Sequence, residues 1–164
     1  MNIRPQKLPP SVQRLFSLLH IDFEPPRPPS NAEVALATLA AVVLSLVVDA
    51  LIVVIATHLV PSTVGYVHFK FSDYAKLTVI GVIIACVGWP FVARITSRPR
   101  WLFFRLAIAT TVVLLLPDLY IWRSGQPIKS VVFLMCMHVG IAYVTYQSLV
   151  VLAPVTRRRR QLRS

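Results

Sequence analysis

Three ionisable residues, Asp49, Asp118 and His138, stand inside long apolar stretches of this 164-residue chain. A carboxylate at the centre of a bilayer costs about 2.5–3.5 kcal/mol on insertion scales, so it usually has a partner and often a purpose. An imidazole among carboxylates can relay a proton, help bind a cation, or hold a polar head group in a cavity. The plainer chemistry is a hydrogen-bonded lock that fixes helix register. At about 1.5 Å per residue, Asp49 lies roughly 16 Å in from Val60 and His138 roughly 12 Å in from Ser130. Asp118 lies roughly 6–10 Å from the end of its own stretch. Similar depth on three helices makes one polar cluster of Asp49, Asp118 and His138 the expectation.

The elements that must position these residues follow from composition. With 56% hydrophobic residues, a mean hydropathy of +0.69 and 14% charged residues, the chain is too apolar for an ordinary soluble domain. Four apolar runs, near residues 34–59, 74–93, 101–122 and 130–153, are each long enough to cross roughly 30 Å of hydrocarbon as a helix. The expected fold is all-α, a bundle of four transmembrane helices with short loops. Residues 1–31 form a Pro-rich arm, 32–154 the membrane domain and 155–164 a basic tail.

The net charge of +11 reports topology. Of 17 lysines and arginines, all but Lys70, Lys76, Arg123 and Lys129 lie before the first run, around the second connection, or after the fourth run. The positive-inside rule then puts both termini and the second connection in the cytoplasm. Arg157, Arg158, Arg159 and Arg160 read as a topology anchor that meets anionic lipid headgroups. Charge placed this way gives no reason to expect a nucleic-acid partner.

Within the spans, Ala37, Ala41, Ser45 and Asp49 recur every four residues, a small-residue stripe on one helix face. Small residues in lipid mark where another helix approaches closely, so Asp49 is expected to face protein. Gly81 and Ala85 repeat that spacing in the second span and are expected to pack a helix in the same way. In the arm, Ser11 reads as an N-cap, followed by Val12, Leu15, Phe16 and Leu19 on one face of a short amphipathic helix. Such a helix suits the membrane surface or a partner. Pro25, Pro26, Pro28 and Pro29 make a stiff spacer after it. The connection after Pro61 holds Tyr66, His68 and Phe69, aromatics that fit an interfacial belt in a segment whose alternation permits a short strand.

Catalytic signatures are missing: there is no G-x-S-x-G, no H-E-x-x-H and no phosphate-cradling glycine loop. Neither an enzyme nor a cofactor is expected. Cys86 and Cys136 stand far apart without a C-x-x-C, and His58 and His68 read as interfacial, so no metal is expected either. No cleavable signal peptide is expected, since the first apolar run follows thirty residues of Pro-rich polar chain.

Three motifs carry a resemblance: the basic turn from Arg94 to Arg105, Leu116-Pro117-Asp118-Leu119 late in the third run, and Met137-His138 in the fourth. With the four spans between about residues 34 and 154, the chain resembles a family of small, functionally uncharacterised bacterial four-helix membrane proteins, most familiar from actinobacteria. That resemblance implies the fold and brings no activity, ligand or catalytic residue. The chain is also similar to small multidrug transporters in size and in having an acidic residue in its first helix. Its aspartate, long loop and basic tail depart from that pattern.

The functional expectation is a non-enzymatic membrane protein that acts by association, as a homo-oligomer or as an accessory subunit of a larger membrane complex. The alternative is a small proton-linked or polar-solute transporter working through Asp49, Asp118 and His138.

Overall fold

A capping box sets the start of the first helix. Ser30 Oγ accepts from the Glu33 N–H at 3.2 Å, and Glu33 Oε2 accepts from the Ser30 N–H at 2.7 Å. Two of the otherwise unpaired donors of a helix start are thereby satisfied. In the computed structural model, which describes residues 27–156 together with Pro9, Ser11, Val12, Arg14 and Ser17, four long helices follow one another. They are α1 (Asn31–Leu59), α2 (Phe71–Ile95), α3 (Pro99–Arg123) and α4 (Ile128–Leu152). Each is long and apolar enough to cross a membrane, and the described residues form no strand. The chain is therefore an all-α, multi-pass membrane protein.

The boundaries exceed the apolar runs by a few residues at most ends, because caps and prolines close the helices. Val60 ends α1 by giving its N–H to the Ala56 carbonyl, and Pro61 follows. Pro99 starts α3 at its first position, where a missing N–H costs nothing. Pro90 and Pro117 sit inside α2 and α3, yet both helices continue past them. Gly125, at φ +90°, makes the turn between α3 and α4 that a residue with a Cβ would resist.

The first connection is not a strand. It forms two 3₁₀ turns, Pro61–Thr63 and Val67–Phe69, joined through Gly65 at φ +81°. Pro61 starts the first turn, and Thr63 Oγ1 donates to the Val60 carbonyl at 2.8 Å. These turns fold Tyr66 and Phe69 back onto the bundle as buried residues.

α1 packs most extensively against α4, then against α2, while α3 leans mainly on α4. The α1–α4 seam is close at Gly140, where an added Cβ would come within 2.8 Å of Val48 Cγ1. The interior divides into two clusters. At the end carrying residues 94–100 and 153–156, called the basic end below, Trp89 is buried against Ala37, Ala41, Cys86, Phe103 and Leu149. At the opposite, distal end, Ala56, Tyr66, Phe69, Tyr74 and Met137 form the second cluster.

Of the arm, Ser11, Val12, Arg14 and Ser17 are helical, while Leu15, Phe16 and Leu19 lie outside the described residues. So do Pro25, Pro26 and the tail residues Arg157, Arg158, Arg159 and Arg160. The two ends of the described chain meet at the basic end, where the Arg27 N–H donates to the Thr156 carbonyl at 3.0 Å.

Candidate functional site: an intramembrane Asp–His–Asp cluster

The small-residue stripe of α1 faces the interior as a unit: Ala37, Ala41, Ser45 and Asp49 are all fully buried. Asp49 looks across to α2, where Thr78 Oγ1 donates to its Oδ2 at 2.7 Å. Its other oxygen, Oδ1, has no protein hydrogen-bond partner. Asp118, on α3 directly after Pro117, is 2% exposed. Its Oδ2 lies 3.2 Å from His138 Nδ1 on α4 and has no other protein partner. Each helix thus contributes one side chain to this polar region: Asp49, Thr78, Asp118 and His138.

The imidazole contacts define its tautomer. His138 Nδ1 is 3.1 Å from the Leu134 carbonyl oxygen as well as 3.2 Å from Asp118 Oδ2. A carbonyl oxygen only accepts, so the first contact needs a hydrogen on Nδ1, and Asp118 Oδ2 stands beside the ring as a charge contact without a hydrogen bond. In the neutral ring Nε2 is then the free base, and a proton taken up there makes an imidazolium beside Asp118. His138 is 27% exposed, so the ring is accessible where the two carboxylates are not. It also lies within electrostatic range of Asp49. Of the three residues expected to cluster, Asp118 and His138 are in contact, while Asp49 is bonded to Thr78 and meets His138 only in electrostatic range.

Sequence reasoning passed over the partners around them. Thr78 and Tyr74 come from α2, and Tyr74 feels the Asp49 charge. Tyr66 and His68 come from the 3₁₀ connection, their rings 5.4 Å apart in an edge contact, and both are within electrostatic range of Asp118. Burial, with the Asp118 carboxylate second, holds the Tyr66 phenol above its ordinary ionisation range, and its hydroxyl has no protein partner. The signal for Tyr74 and Thr78 is the buried stripe Tyr74, Thr78, Val82, Cys86 and Trp89, at spacings of four and three along α2.

That stripe corrects the expectation for α2. Gly81 is exposed, and a Cβ placed on it would meet nothing within 4 Å. Ala85 is half-buried and touches the basic-end cluster. Small size permits a close helix approach without creating one, and within this chain α2 turns its larger residues inward. The close contact to glycine falls instead at Gly140 on α4.

The cluster is closed at both ends by ring systems. Distally, Tyr66 meets Phe69 at 5.1 Å, and Phe71 meets Tyr74 at 5.4 Å. Toward the basic end, Trp89 meets Phe103 at 5.0 Å, Phe103 stacks on Tyr146 at 6.1 Å, and Trp89 Nε1 donates to the Ala153 carbonyl at 2.9 Å. Among the described residues no group of three His, Cys, Asp or Glu is arranged to hold a metal ion.

A family model matches residues 25–161, nearly the whole described chain. The chain belongs to DUF6069, a family of unknown function. No curated protein and no solved structure matches it. The DUF6069 match begins before α1 and ends beyond α4, so the family unit takes in all four helices and the whole cluster.

Proposed function

We propose that this DUF6069 protein is a small proton-linked transporter of the bacterial cell membrane, with the Asp49–His138–Asp118 cluster as its protonatable centre. The carrying observation is that the buried Asp118 carboxylate stands 3.2 Å from a part-exposed imidazole, with a second buried carboxylate, Asp49, in electrostatic range and its Oδ1 left without a protein partner. With His138 neutral, two ionised carboxylates leave the cluster at −2. One proton on Nε2 brings it to −1, and a second proton on a carboxylate brings it to zero. Burying net charge in hydrocarbon is costly, so each step in that series changes what the surrounding helices must accommodate. The groups facing the centre are Asp49 from α1, Thr78 and Tyr74 from α2, Asp118 from α3, and Tyr66 and His68 from the connection. None of these is a lysine or arginine.

The basic end is the cytoplasmic one in this reading, since Arg94, Arg98 and Arg100 gather there with Arg27 and Thr156, where the described stretch begins and ends. Protons then reach His138 from the outer half. The ring clusters above and below act as the two gates that alternate as the centre loads and empties. Arg157, Arg158, Arg159 and Arg160 anchor the tail at anionic headgroups.

The test uses the purified full chain in sealed vesicles that enclose a pH-sensitive dye. After an external acid pulse, wild-type vesicles should acidify faster than protein-free ones, and Asp118→Asn should fall to background. Wild-type vesicles no faster than protein-free ones would overturn the reading.

One observation favours a second reading, association as a homo-oligomer or as an accessory subunit. Gly81 and Gly88, two turns apart on α2, both look onto open space where another helix has room to approach. Native mass spectrometry of protein drawn from its own membrane in mild detergent would show fixed-stoichiometry partners in that case.

A further inference from the structure

One recess of the described surface has none of the Asp–His–Asp residues in its lining. It is a recess of about 410 Å³ along the α1–α2 seam at the basic end. Val34 and Thr38 of α1 form one wall, and Ile83, Val87, Phe91 and Arg94 of α2 form the other. We infer that this groove binds one anionic phospholipid, its acyl chain between α1 and α2 and its headgroup on Arg94.

Three features select that occupant. The groove is apolar along its length, with Arg94 at its end as its only ionisable lining group apart from the Cys86 thiol. From Ile83 to Arg94 the wall rises roughly 17 Å, which is about half of the roughly 30 Å hydrocarbon thickness. It therefore fits a chain from one leaflet, and Arg94 then stands at headgroup level. Arg94 is exposed, and Glu33, the acidic residue next to the Val34 wall, has its Oε2 held by the Ser30 N–H. An exposed guanidinium at the mouth of an apolar slot is complementary to a phosphate whose tail lies in the slot. Pro90 lines the same recess and cannot donate an N–H to the Cys86 carbonyl, so α2 presents a less regular surface here than elsewhere. This inference does not depend on the proton reading.

Native mass spectrometry of the purified full chain, titrated with phosphatidylglycerol or with phosphatidylcholine of the same acyl chains, tests it. Wild type should retain one phosphatidylglycerol in preference to phosphatidylcholine by about fivefold, the preference that one basic residue near the surface supplies. Arg94→Gln should bring that ratio to about one. Val87→Trp, which fills the slot, should lose both adducts. The inference is overturned if Arg94→Gln keeps the preference, or if only loss of Arg157 to Arg160 removes it. It is equally overturned if Val87→Trp abolishes a dimer that carries no lipid, which makes a second copy the occupant. Should Val87→Trp fail to fold, Arg94→Gln decides alone, because Arg94 is exposed and holds no part of the bundle together.

Discussion

The two halves of the bundle solve burial in opposite ways. At the basic end the largest buried side chain, Trp89, has its ring against Phe103 and its one donor on the Ala153 carbonyl. That core is packed ring on ring with its tryptophan satisfied, and the small Thr145 hydroxyl is a buried group left unpaired toward this end. At the distal end the buried Asp49, Asp118 and Tyr66 each keep an oxygen with no protein hydrogen bond. A partly satisfied polar cluster is expensive to keep in hydrocarbon, so the distal half is the one where the proposed function would set the residues. The same four helices run through both halves. What differs is what their buried stripes carry: on α1, Ala37 and Ala41 below, Ser45 and Asp49 above.

The contrast can be broken first at its stable end. Trp89→Ala removes the ring that ties α2 to α3 and the bond to Ala153, and should cost about 3–5 kcal/mol. Denaturation in mixed detergent micelles measures it. A loss below about 1 kcal/mol would show that the basic half is not the stabilising one. Next, Gly140→Val drives a side chain into Val48 at the α1–α4 seam and should cost about 1–3 kcal/mol by overpacking. The same unfolding assay reads it, and an unchanged midpoint would mean that the seam gives way freely. Thr78→Val leaves Asp49 without its one hydrogen bond and should cost about 1–3 kcal/mol. Vesicle acidification should change with it, whereas Gly140→Val should act through stability alone. The smallest effect belongs to Gly81→Ala, within about 0.5 kcal/mol, since its Cβ meets open space. A large effect there, or the loss of a dimer on native mass spectrometry, would favour association over transport.

Much of this architecture was legible in the residue order. Four apolar runs became α1 to α4, because backbone groups in hydrocarbon leave a helix as the simplest solution. The four-residue spacing from Ala37 to Asp49 located the buried face of α1 for the same reason. On α2 two stripes compete: Gly81 with Ala85, and Tyr74, Thr78, Val82 and Cys86. Both have near-helical period, so spacing could not rank them, and within this chain the inward stripe is the one of larger residues, with Ala85 at its edge. The connection from 60 to 70 misled for another reason. Its aromatics match an interfacial belt in composition, and only the two 3₁₀ turns, set by Pro61 and Gly65, fold Tyr66 and Phe69 inward. Similar depth suggested one group of Asp49, Asp118 and His138, of which Asp118 and His138 are in contact. Depth alone carries no rotation, so it could not say that Asp118 touches the imidazole while Asp49 leans on Thr78.

The central claim is that Asp49 matters for the proton it exchanges and not for the shape it fills. Asp49→Asn and Asp49→Leu, each measured for vesicle acidification and thermal stability together, separate the two. Asparagine keeps a side-chain oxygen to accept from Thr78 and has nearly the same volume, so Asp49→Asn should unfold within a few degrees of wild type. Its acidification rate should fall to that of protein-free vesicles. Asp49→Leu should lose both, because it strands the Thr78 hydroxyl in the core. An Asp49→Asn protein that acidifies at the wild-type rate would contradict the account and leave the cluster as a structural lock.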